Sequence, residues 1–389
     1  MTKVFLKRKI APRIANGHPW IYGNEIDTTD GDIVPGAIVD VYFADKKFAG
    51  RGYINPQSQI AVRLLTRTKE EINEDFFYQR ILQCWHYRQK LGYTENCRLV
   101  FGEADYLPAL VIDKFNDYFV IQTLSLGIEL WKPAIVKALE KIFAPKGIYE
   151  RNDVPVRELE GLTQQKGFLS APFDTNITIT ENGLKFLVDI ENGQKTGFFL
   201  DQQDNRKAIK QIVANADVLG AFTYTGSFEI HAAAYKAKSV LGIDISEQAV
   251  AQANKNAALN GLSNICRFEA VNAFDQLKQW DKENRRFDVV MLDPPAFTKS
   301  RENINKAVTG YKEINLRGMK LVKPGGFLVT SSCTNLVSPE LFLDTIAAAA
   351  RDAKRRIRQV TFNAQSSDHP ILWGIDNTNY LKFLIVEVG

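Results

Sequence analysis

The segment 218–227, VLGAFTYTGS, passes from apolar residues into a loop of small and hydroxyl-bearing side chains. Eighteen positions after Gly226, Asp244 ends the next apolar segment, VLGID. A carboxylate about 20 residues beyond such a loop can accept hydrogen bonds from ribose hydroxyl groups. The loop lacks the Gly-x-Gly-x-x-Gly pattern of dinucleotide sites. The pair predicts an adenosine-containing cofactor, and an ordinary strand–turn–helix is the alternative.

Two further reactive groups each follow an apolar segment. Asp293 comes directly after VVML, and Pro294 and Pro295 then stiffen the loop and remove two backbone donors. Cys333 comes just past FLVTSS. If both segments are strands of a parallel sheet, their carboxyl ends meet at the edge where such sheets bind ligands. We therefore interpret Cys333 as a nucleophile and Asp293 as a contact to a planar substrate, with a plain strand breaker as the alternative for the Pro-Pro pair. The other cysteines are expected in the core: Cys84, Cys97 and Cys266.

The segment 192–203, NGQKTGFFLDQQ, is dense in polar side chains and glycine, yet it contains Phe-Phe. Loops of this composition between regular elements often wrap a ligand. The four histidines share no metal-ligand spacing, so neither a metal centre nor a hydrolytic triad is expected.

The surrounding pattern supplies the elements that would position these groups. After residue 172, apolar segments alternate with helical periods, which predicts a parallel sheet covered by helices on both faces. Before residue 70, short segments in which apolar and polar residues alternate, separated by turns, predict a compact β module. Between residues 71 and 172, strand-like and helix-like spacings of apolar residues both occur, which predicts a small α+β domain. The expected domains are 1–70, 71–172 and 173–389. The strands predicted around the site are 217–222, 239–244, 265–269, 287–292 and 326–330.

Composition narrows the class of protein. The chain has 389 residues, 45% of them hydrophobic and 24% charged, which is typical of globular domains and not of disordered chains. Four cysteines without a CxxC pair exclude a disulfide scaffold and fit a reducing cytoplasm. No membrane span is expected. The net charge is +4, and the first twenty residues hold no acid and five basic side chains: Lys3, Lys7, Arg8, Lys9 and Arg13. A basic edge of this kind attracts polyanions, and a solvated tail is an equally weighted alternative.

Taken together, the motifs resemble the PUA-domain-containing class I S-adenosylmethionine-dependent methyltransferases, and within them the large-subunit ribosomal RNA cytosine-C5 methyltransferase group. HPWIYGNEI and GRGYINPQSQIAVRLL resemble the PUA module of that family. GQKTGFFLDQ, AFTYTGSFEI, DPPAF, SSCTN, DHPILW and NYLK resemble its catalytic domain. The resemblance implies a multi-domain α/β protein: a small β-barrel PUA-like module, an α+β middle domain and a Rossmann-like methyltransferase domain.

The resemblance also implies the cofactor, S-adenosyl-L-methionine, and roles around it. Phe222, Thr223 and Gly226 would line its methionine part, and Asp244 would hold the ribose. The remaining cofactor contacts are expected to edge the adenine or close the pocket: Asn272, Ala273, Pro294, Lys195, Thr196, Gly197 and Asp201.

In the expected reaction, the Cys333 thiolate adds to C6 of an unpaired cytosine of 23S ribosomal RNA and so makes C5 nucleophilic. Asp293 would contact the N3/N4 edge of the base, where charge develops. Two alternatives stay open: methylation of an exocyclic amine through the Asp-Pro-Pro loop, and an RNA-binding assembly factor without catalysis. RNA, most of all ribosomal RNA, is the expected partner, and both a monomer and a homodimer are compatible with the sequence.

Overall fold

The computed structural model describes residues 1–9, 12–298 and 300–389, which form two compact units. The first unit comprises Met1–Ile177, Val188–Leu200 and Ser367–Thr378. The second unit comprises Thr178–Leu187, Asp201–Ser366 and Asn379–Gly389. None of the described helices combines the length and the apolar character needed to cross a bilayer.

The first unit begins with a six-stranded sheet in the order β2-β6-β5-β4-β1-β3. Its strands alternate apolar and polar residues, so that one face packs around Val4, Val39 and Leu64. Only the β1–β4 pair is parallel. The elements are β1 Lys3–Leu6, α1 Pro12–Ala15, β2 Trp20–Ile21, β3 Ile26–Asp30, β4 Ile38–Tyr42, β5 Phe48–Ile54 and β6 Val62–Thr66.

A five-stranded sheet in the order β11-β10-β9-β8-β7 completes the first unit. Two amphipathic helices cover it, and their apolar residues, such as Phe77 and Ile135, pack on strand residues such as Ile121. The first of these helices starts at the cap Asn73, whose side chain accepts a hydrogen bond from the Phe76 amide. The elements are α2 Glu74–Lys90, β7 Asn96–Phe101, β8 Leu110–Phe115, β9 Tyr118–Thr123, α3 Leu126–Phe143, β10 Gly147–Asn152 and β11 Gln165–Phe168.

A buried carboxylate joins the two sheets of the first unit. Glu160 is 2% exposed, and its carboxylate accepts hydrogen bonds from Asn55 Nδ2 at 3.0 Å, from Arg63 at 2.8 Å and from the Ser58 hydroxyl group. All three donors lie on or between β5 and β6. Because a buried charge must be paired and hydrogen-bonded, this cluster, here called the Glu160 junction, fixes the β module against the rest of the first unit.

The second unit contains a seven-stranded sheet in the order β16-β15-β14-β17-β18-β20-β19. The strands from β14 to β18 are parallel, whereas β20 runs antiparallel to both of its neighbours. The strands are β14 Asp217–Ala221, β15 Ser239–Asp244, β16 Cys266–Ala270, β17 Phe287–Leu292, β18 Val322–Ser332, β19 Ile357–Asn363 and β20 Lys382–Val388.

Helices cover this sheet because its central strands are apolar on both faces. Leu219, Ile243 and Val290 are buried among helix residues that include Ile314 and Ile346. The helices are α4 Gln203–Ala208, α5 Ser227–Ala234, α6 Glu247–Leu259, α7 Ala273–Lys282, α8 Ile304–Leu321 and α9 Pro339–Asp352, and a hairpin of β12 Asn176–Glu181 and β13 Leu184–Asp189 precedes them. Sequence patterns predicted the five parallel strands, but not the reversed strand β20.

The Glu160 junction yields a stability prediction. Glu160→Ala leaves the buried Arg63 guanidinium without its carboxylate, so we expect the free energy of unfolding of the first unit to fall by about 3–5 kcal/mol. Thermal unfolding and amide hydrogen exchange in β5 and β6 measure the loss. Glu158→Ala, an exposed neighbour, is the matched control and is expected to change stability by less than about 0.5 kcal/mol. Equal protection of β5 and β6 in both variants would contradict the prediction.

Candidate active site

A tight turn follows β14 and leads into α5. Phe222, Tyr224 and Gly226 all have positive φ angles, of 63°, 47° and 77°, which curl the backbone at the end of the strand. A Cβ atom on Gly226 would lie 2.8 Å from the Phe268 ring, so only glycine fits there. The predicted residues Phe222, Thr223 and Gly226 are thus brought together in one turn at the carboxyl edge of the sheet.

Asp244 lies at the end of β15 and holds this turn in place. Its Oδ2 accepts a hydrogen bond from the Tyr224 amide at 2.8 Å, and its Oδ1 accepts one from the Ser246 amide at 2.9 Å. A carboxylate offers about four acceptor positions. The half-buried Asp244 therefore keeps acceptor capacity for hydroxyl groups of a ligand, which is the chemistry that a ribose requires.

The loop after β16 is tied to the same aspartate. The Val271 amide donates to the carbonyl oxygen of Asp244 at 2.8 Å. The next residue, Asn272, is exposed and caps α7, because its side-chain oxygen accepts from the Phe274 amide at 2.9 Å. Ala273 is buried at the first position of α7. Both residues predicted to edge an adenine thus lie beside Asp244, although the Asn272 side-chain oxygen is already engaged as a cap.

Asp293 follows β17 and is linked to the neighbouring strands. Its amide donates to the Ala221 carbonyl at 3.3 Å, and its Oδ1 accepts from Gln202 Nε2 at 3.2 Å. Gln202 Nε2 also lies 3.3 Å from the Ser331 hydroxyl oxygen of β18. Gln202 was not singled out from the sequence, although it belongs to the LDQQ string. It connects the loop after β17 with the end of β18.

Cys333 follows β18 directly and is half-buried, whereas the other three cysteines lie in the core. Burial raises the pKa of each of those three thiols: Cys84, Cys97 and Cys266. Next to Cys333, the Thr334 hydroxyl group is 2.8 Å from the hydroxyl group of Tyr311, and burial raises the pKa of Tyr311 to about 12. Cys333 is therefore the one accessible thiol among the described residues, as its position past a strand end predicts.

The residues expected to close the pocket fall in different units. Lys195, Thr196 and Gly197 belong to the first unit, whereas Asp201 belongs to the second. Lys195 Nζ is 4.4 Å from the centre of the Phe199 ring. In the second unit, the Tyr380 hydroxyl group donates to Asp201 Oδ2 at 2.6 Å.

Thr196 has a partner that the sequence did not reveal. Its hydroxyl group donates to Oδ2 of the fully buried Asp113 at 2.6 Å, and Arg98 binds the same carboxylate through two contacts of 2.8 Å. Burial alone would raise the pKa of Asp113, but the Arg98 guanidinium and the Thr196 hydroxyl group outweigh it and hold the pKa below its ordinary value. Thr196 therefore anchors its loop on β8 within the first unit.

A buried carboxyl group lies beneath the β14–α5 turn. Glu229 of α5 is 3% exposed, and a Cβ atom on Gly220 would overlap its Oε1, so glycine at position 220 makes room for it. Burial, together with the charges of Asp293 and Asp244, raises the pKa of Glu229 to about 7. Sequence reasoning missed Glu229, because only the fold brings α5 against this strand.

Orphaned polar groups show that the turn has unused hydrogen-bonding capacity. In the described chain, the buried Oγ1 of Thr225 and the buried Oε2 of Glu229 have no hydrogen-bond partner. Both atoms are buried, so the group of this turn region that a ligand can reach is the half-buried Asp244, whose remaining acceptor positions suit ribose hydroxyl groups. The residues present therefore fit the predicted cofactor.

Two protein-family models match the chain. A PUA-like domain covers residues 4–67, and an S-adenosylmethionine-dependent methyltransferase covers residues 165–386. The chain is 41% identical over 379 residues to the ribosomal RNA large subunit methyltransferase I of Shewanella denitrificans, with 95% of each chain covered. It is 39% identical over 391 residues to the protein of the same name from Aeromonas salmonicida, with 99% of this chain and 98% of the relative covered.

Solved structures show the same fold over the whole chain. SMU.776, described as a methyltransferase and crystallised with SAH, superposes with a TM-score of 0.85 at 19% identity, and a protein from Streptococcus mutans described as a SAM-dependent methyltransferase does so with a TM-score of 0.83 at 20% identity. Each match covers 100% of both chains. At these identities, the likeness establishes the fold alone.

Asp244 provides the test of the cofactor site. Asp244→Ala removes the carboxylate predicted to accept hydrogen bonds from the ribose, and it removes the anchor of the Tyr224 amide, so we expect the affinity for S-adenosylmethionine to fall by about 1.5–3 kcal/mol. Isothermal titration calorimetry measures the change. Asp217→Ala, at the amino end of β14, is the control and should bind normally. Unchanged affinity of the Asp244 variant would place the cofactor elsewhere.

Proposed function

Because the chain belongs to the S-adenosylmethionine-dependent methyltransferase family, and within it to the ribosomal RNA large subunit methyltransferase I group, we propose that it methylates C5 of a cytosine in 23S ribosomal RNA. The observation that supports the C5 chemistry is the position of Cys333. Its half-buried thiol follows β18, and Gln202 links the end of that strand to Asp293. A thiol and a carboxylate at one sheet edge are the groups that this reaction requires.

The residues proposed to hold S-adenosylmethionine lie at the same edge. Phe222, Thr223 and Gly226 form the turn against its methionine part, and Asp244 accepts hydrogen bonds from its ribose. Asn272 and Ala273 border the adenine. When bound, the cofactor supplies an electrophilic methyl group.

Cys333 performs covalent catalysis in this proposal. Its thiolate adds to C6 of the cytosine, and the electron density that this releases into the ring makes C5 nucleophilic. Asp293 meets the N3/N4 edge of the base as a protonated carboxyl group, and the proton that it donates toward N3 offsets the negative charge that develops in the ring as the thiolate adds. After methylation, a base removes the C5 proton, the electron pair of that C–H bond restores the C5–C6 double bond, and the S–C6 bond breaks with its electron pair returning to sulfur as the thiolate. Pro294 and Pro295 keep the loop that bears Asp293 rigid.

Exocyclic-amine methylation is the alternative reaction, since it uses an Asp-Pro-Pro-aromatic loop and no thiol. In this chain, the aromatic residue of that loop is half-buried. The Phe297 ring centre is 4.5 Å from that of Tyr311 in α8 and 6.1 Å from that of Phe274. An aromatic side chain engaged in this packing is less suited to stack on a target base, which favours the C5 reaction.

RNA binding is proposed to involve the PUA-like module. Two of the five basic side chains near its start already have partners: Arg13 contacts Glu25 at 2.6 Å, and Lys3 contacts Asp30 at 3.4 Å. Lys7, Arg8 and Lys9 are exposed and form no ion pair with the described residues, so they are the better candidates for phosphate contacts. A second basic cluster lies near the end of α9 and the start of β19: Arg351, Lys354, Arg355, Arg356 and Arg358. Arg355 donates to backbone carbonyl groups and Arg358 pairs with Glu387, so the remaining three are the candidates for phosphate contacts.

The nucleophile is tested with RNA that carries 5-fluorocytosine. Fluorine at C5 cannot leave as a proton does, so the wild-type protein should form a stable adduct with the RNA. Cys333→Ala should form no adduct and transfer no methyl group, while its affinity for S-adenosylmethionine stays near normal. Cys84→Ala, which alters a core thiol of the first unit, is the control and should still be trapped. Full methylation by Cys333→Ala would replace the C5 proposal with amine methylation.

The salt dependence of RNA binding tests the phosphate contacts. Each lost contact lowers the slope of log affinity against log salt concentration by roughly 0.7–0.9. A triple change of Lys7, Arg8 and Lys9 to Gln should therefore lower the slope by about 2–3 if all three contact phosphates. Lys47→Gln, an exposed lysine in the same module that pairs with Asp45, is the control. Identical slopes for the triple variant and the wild type would exclude this segment from the RNA interface.

A further inference from the structure

A buried lysine lies next to Cys333 in the sheet. Lys382 is the first residue of β20, and its backbone pairs with Ser332, the residue directly before Cys333, in the antiparallel β18–β20 register. The side chain is 2% exposed. The strand that contains it, KFLIVEV, is otherwise apolar apart from one glutamate. A fully buried lysine at this place requires a specific reason, since lysines are almost never buried without a partner.

Two backbone carbonyl groups fix the position of the lysine amine. Nζ donates to the carbonyl oxygen of Thr334 at 2.8 Å and to that of Tyr380 at 2.8 Å. Thr334 is the residue directly after Cys333, so the amine is fastened to the segment that presents the thiol. In the described residues, no carboxylate forms an ion pair with Lys382. The amine is therefore oriented by neutral groups and lacks the acidic partner that a buried ammonium ordinarily needs.

The electrostatic partner of Lys382 is Cys333. Burial lowers the pKa of Lys382 to about 8, and a negative charge on Cys333 acts in the opposite direction and favours the ammonium. Tyr311 of α8, which burial keeps neutral, and Asp293 after β17 are titratable groups of the same region. The Tyr380 hydroxyl group donates to Asp201. None of these three groups is a cation.

We infer that Lys382 is a positioning residue that holds Cys333 as a thiolate before the target base arrives, an inference that rests on the nucleophilic role proposed above for Cys333. The proton leaves Sγ and binds to the neutral amine of Lys382, so an S–H bond breaks and an N–H bond forms. The resulting thiolate and ammonium stabilise each other at the sheet edge. The sulfur electron pair then forms the bond to C6, and it returns to sulfur when that bond breaks.

The pH profile of Cys333 alkylation tests this role without RNA or cofactor. Iodoacetamide reacts with thiolates, and peptide mass spectrometry isolates the rate at Cys333 from the rates at the other cysteines. We expect the wild-type midpoint to lie below the ordinary thiol pKa of about 8.5. Lys382→Met should raise the midpoint by at least about one unit, which lowers the alkylation rate near neutral pH about tenfold. Lys382→Arg retains the positive charge and should keep a lower midpoint than Lys382→Met.

Controls separate electrostatics from folding. Lys323→Met, which changes a half-buried lysine of β18 that pairs with Asp288, should leave the profile unchanged. Normal S-adenosylmethionine affinity of each variant shows that the second unit is folded. If Lys382→Met fails that check, the midpoints of Cys333 alkylation in Lys382→Gln and Lys382→Arg are compared instead, and the inference requires the lower midpoint in Lys382→Arg. The inference would be overturned if Cys333 alkylation had the same pH midpoint in the wild type, in Lys382→Arg and in a folded variant with Met or Gln at position 382.

The methylation rate distinguishes this inference from the proposed function. If Lys382 acts through the thiolate, the turnover rate of Lys382→Met should recover as the pH rises through the new thiol midpoint, while the KM for RNA stays unchanged. A rate that stays low at every pH would overturn the inference. Failure of the wild-type protein to form the 5-fluorocytosine adduct would instead overturn the C5 proposal, whatever the alkylation profiles show.

Discussion

The parallel hydrogen-bond ladder from β16 to β18 is the constraint on which the site depends. Parallel strands place all their carboxyl ends at one edge, so residues that are far apart in the chain become neighbours there. Asp244, Asp293 and Cys333 each follow or end one of these strands. The ladder also fixes their order across the edge, because β14 separates β15 from β17. The turn after β14 and the thiol of Cys333 therefore lie at the same edge, with the loop that bears Asp293 between them.

The reversed strand β20 changes the environment of one end of this ladder. It pairs with β18 on one side and with β19 on the other, so its direction is opposite to the strand that bears Cys333. An antiparallel neighbour presents its amino end at the edge where β18 presents its carboxyl end. Lys382, the first residue of β20, consequently lies level with Ser332. A sixth parallel strand would have presented a carboxyl-terminal loop there instead.

Sequence patterns predicted those features of the site that depend on residues close together in the chain. The spacing between Gly226 and Asp244 and the place of Cys333 after an apolar strand follow from one βαβ unit at a time, and the family resemblance agreed with them. The patterns could not predict that Thr196 binds Asp113, or that Lys382 lies beside Cys333, because those contacts join segments that are distant in the chain. The roles of individual residues toward cofactor and RNA stay predictions, as do the expected domain boundaries.

The Glu160 junction restricts how the sequence of this chain can evolve. One carboxylate satisfies an amide, a hydroxyl group and a guanidinium from the β5–β6 region, so no member can be replaced alone without leaving a buried polar group unmatched. We therefore expect the four residues of the junction to coevolve: Asn55, Ser58, Arg63 and Glu160. Exchange of the β module between relatives is therefore expected to succeed only when the segment that contains Glu160 is exchanged with it.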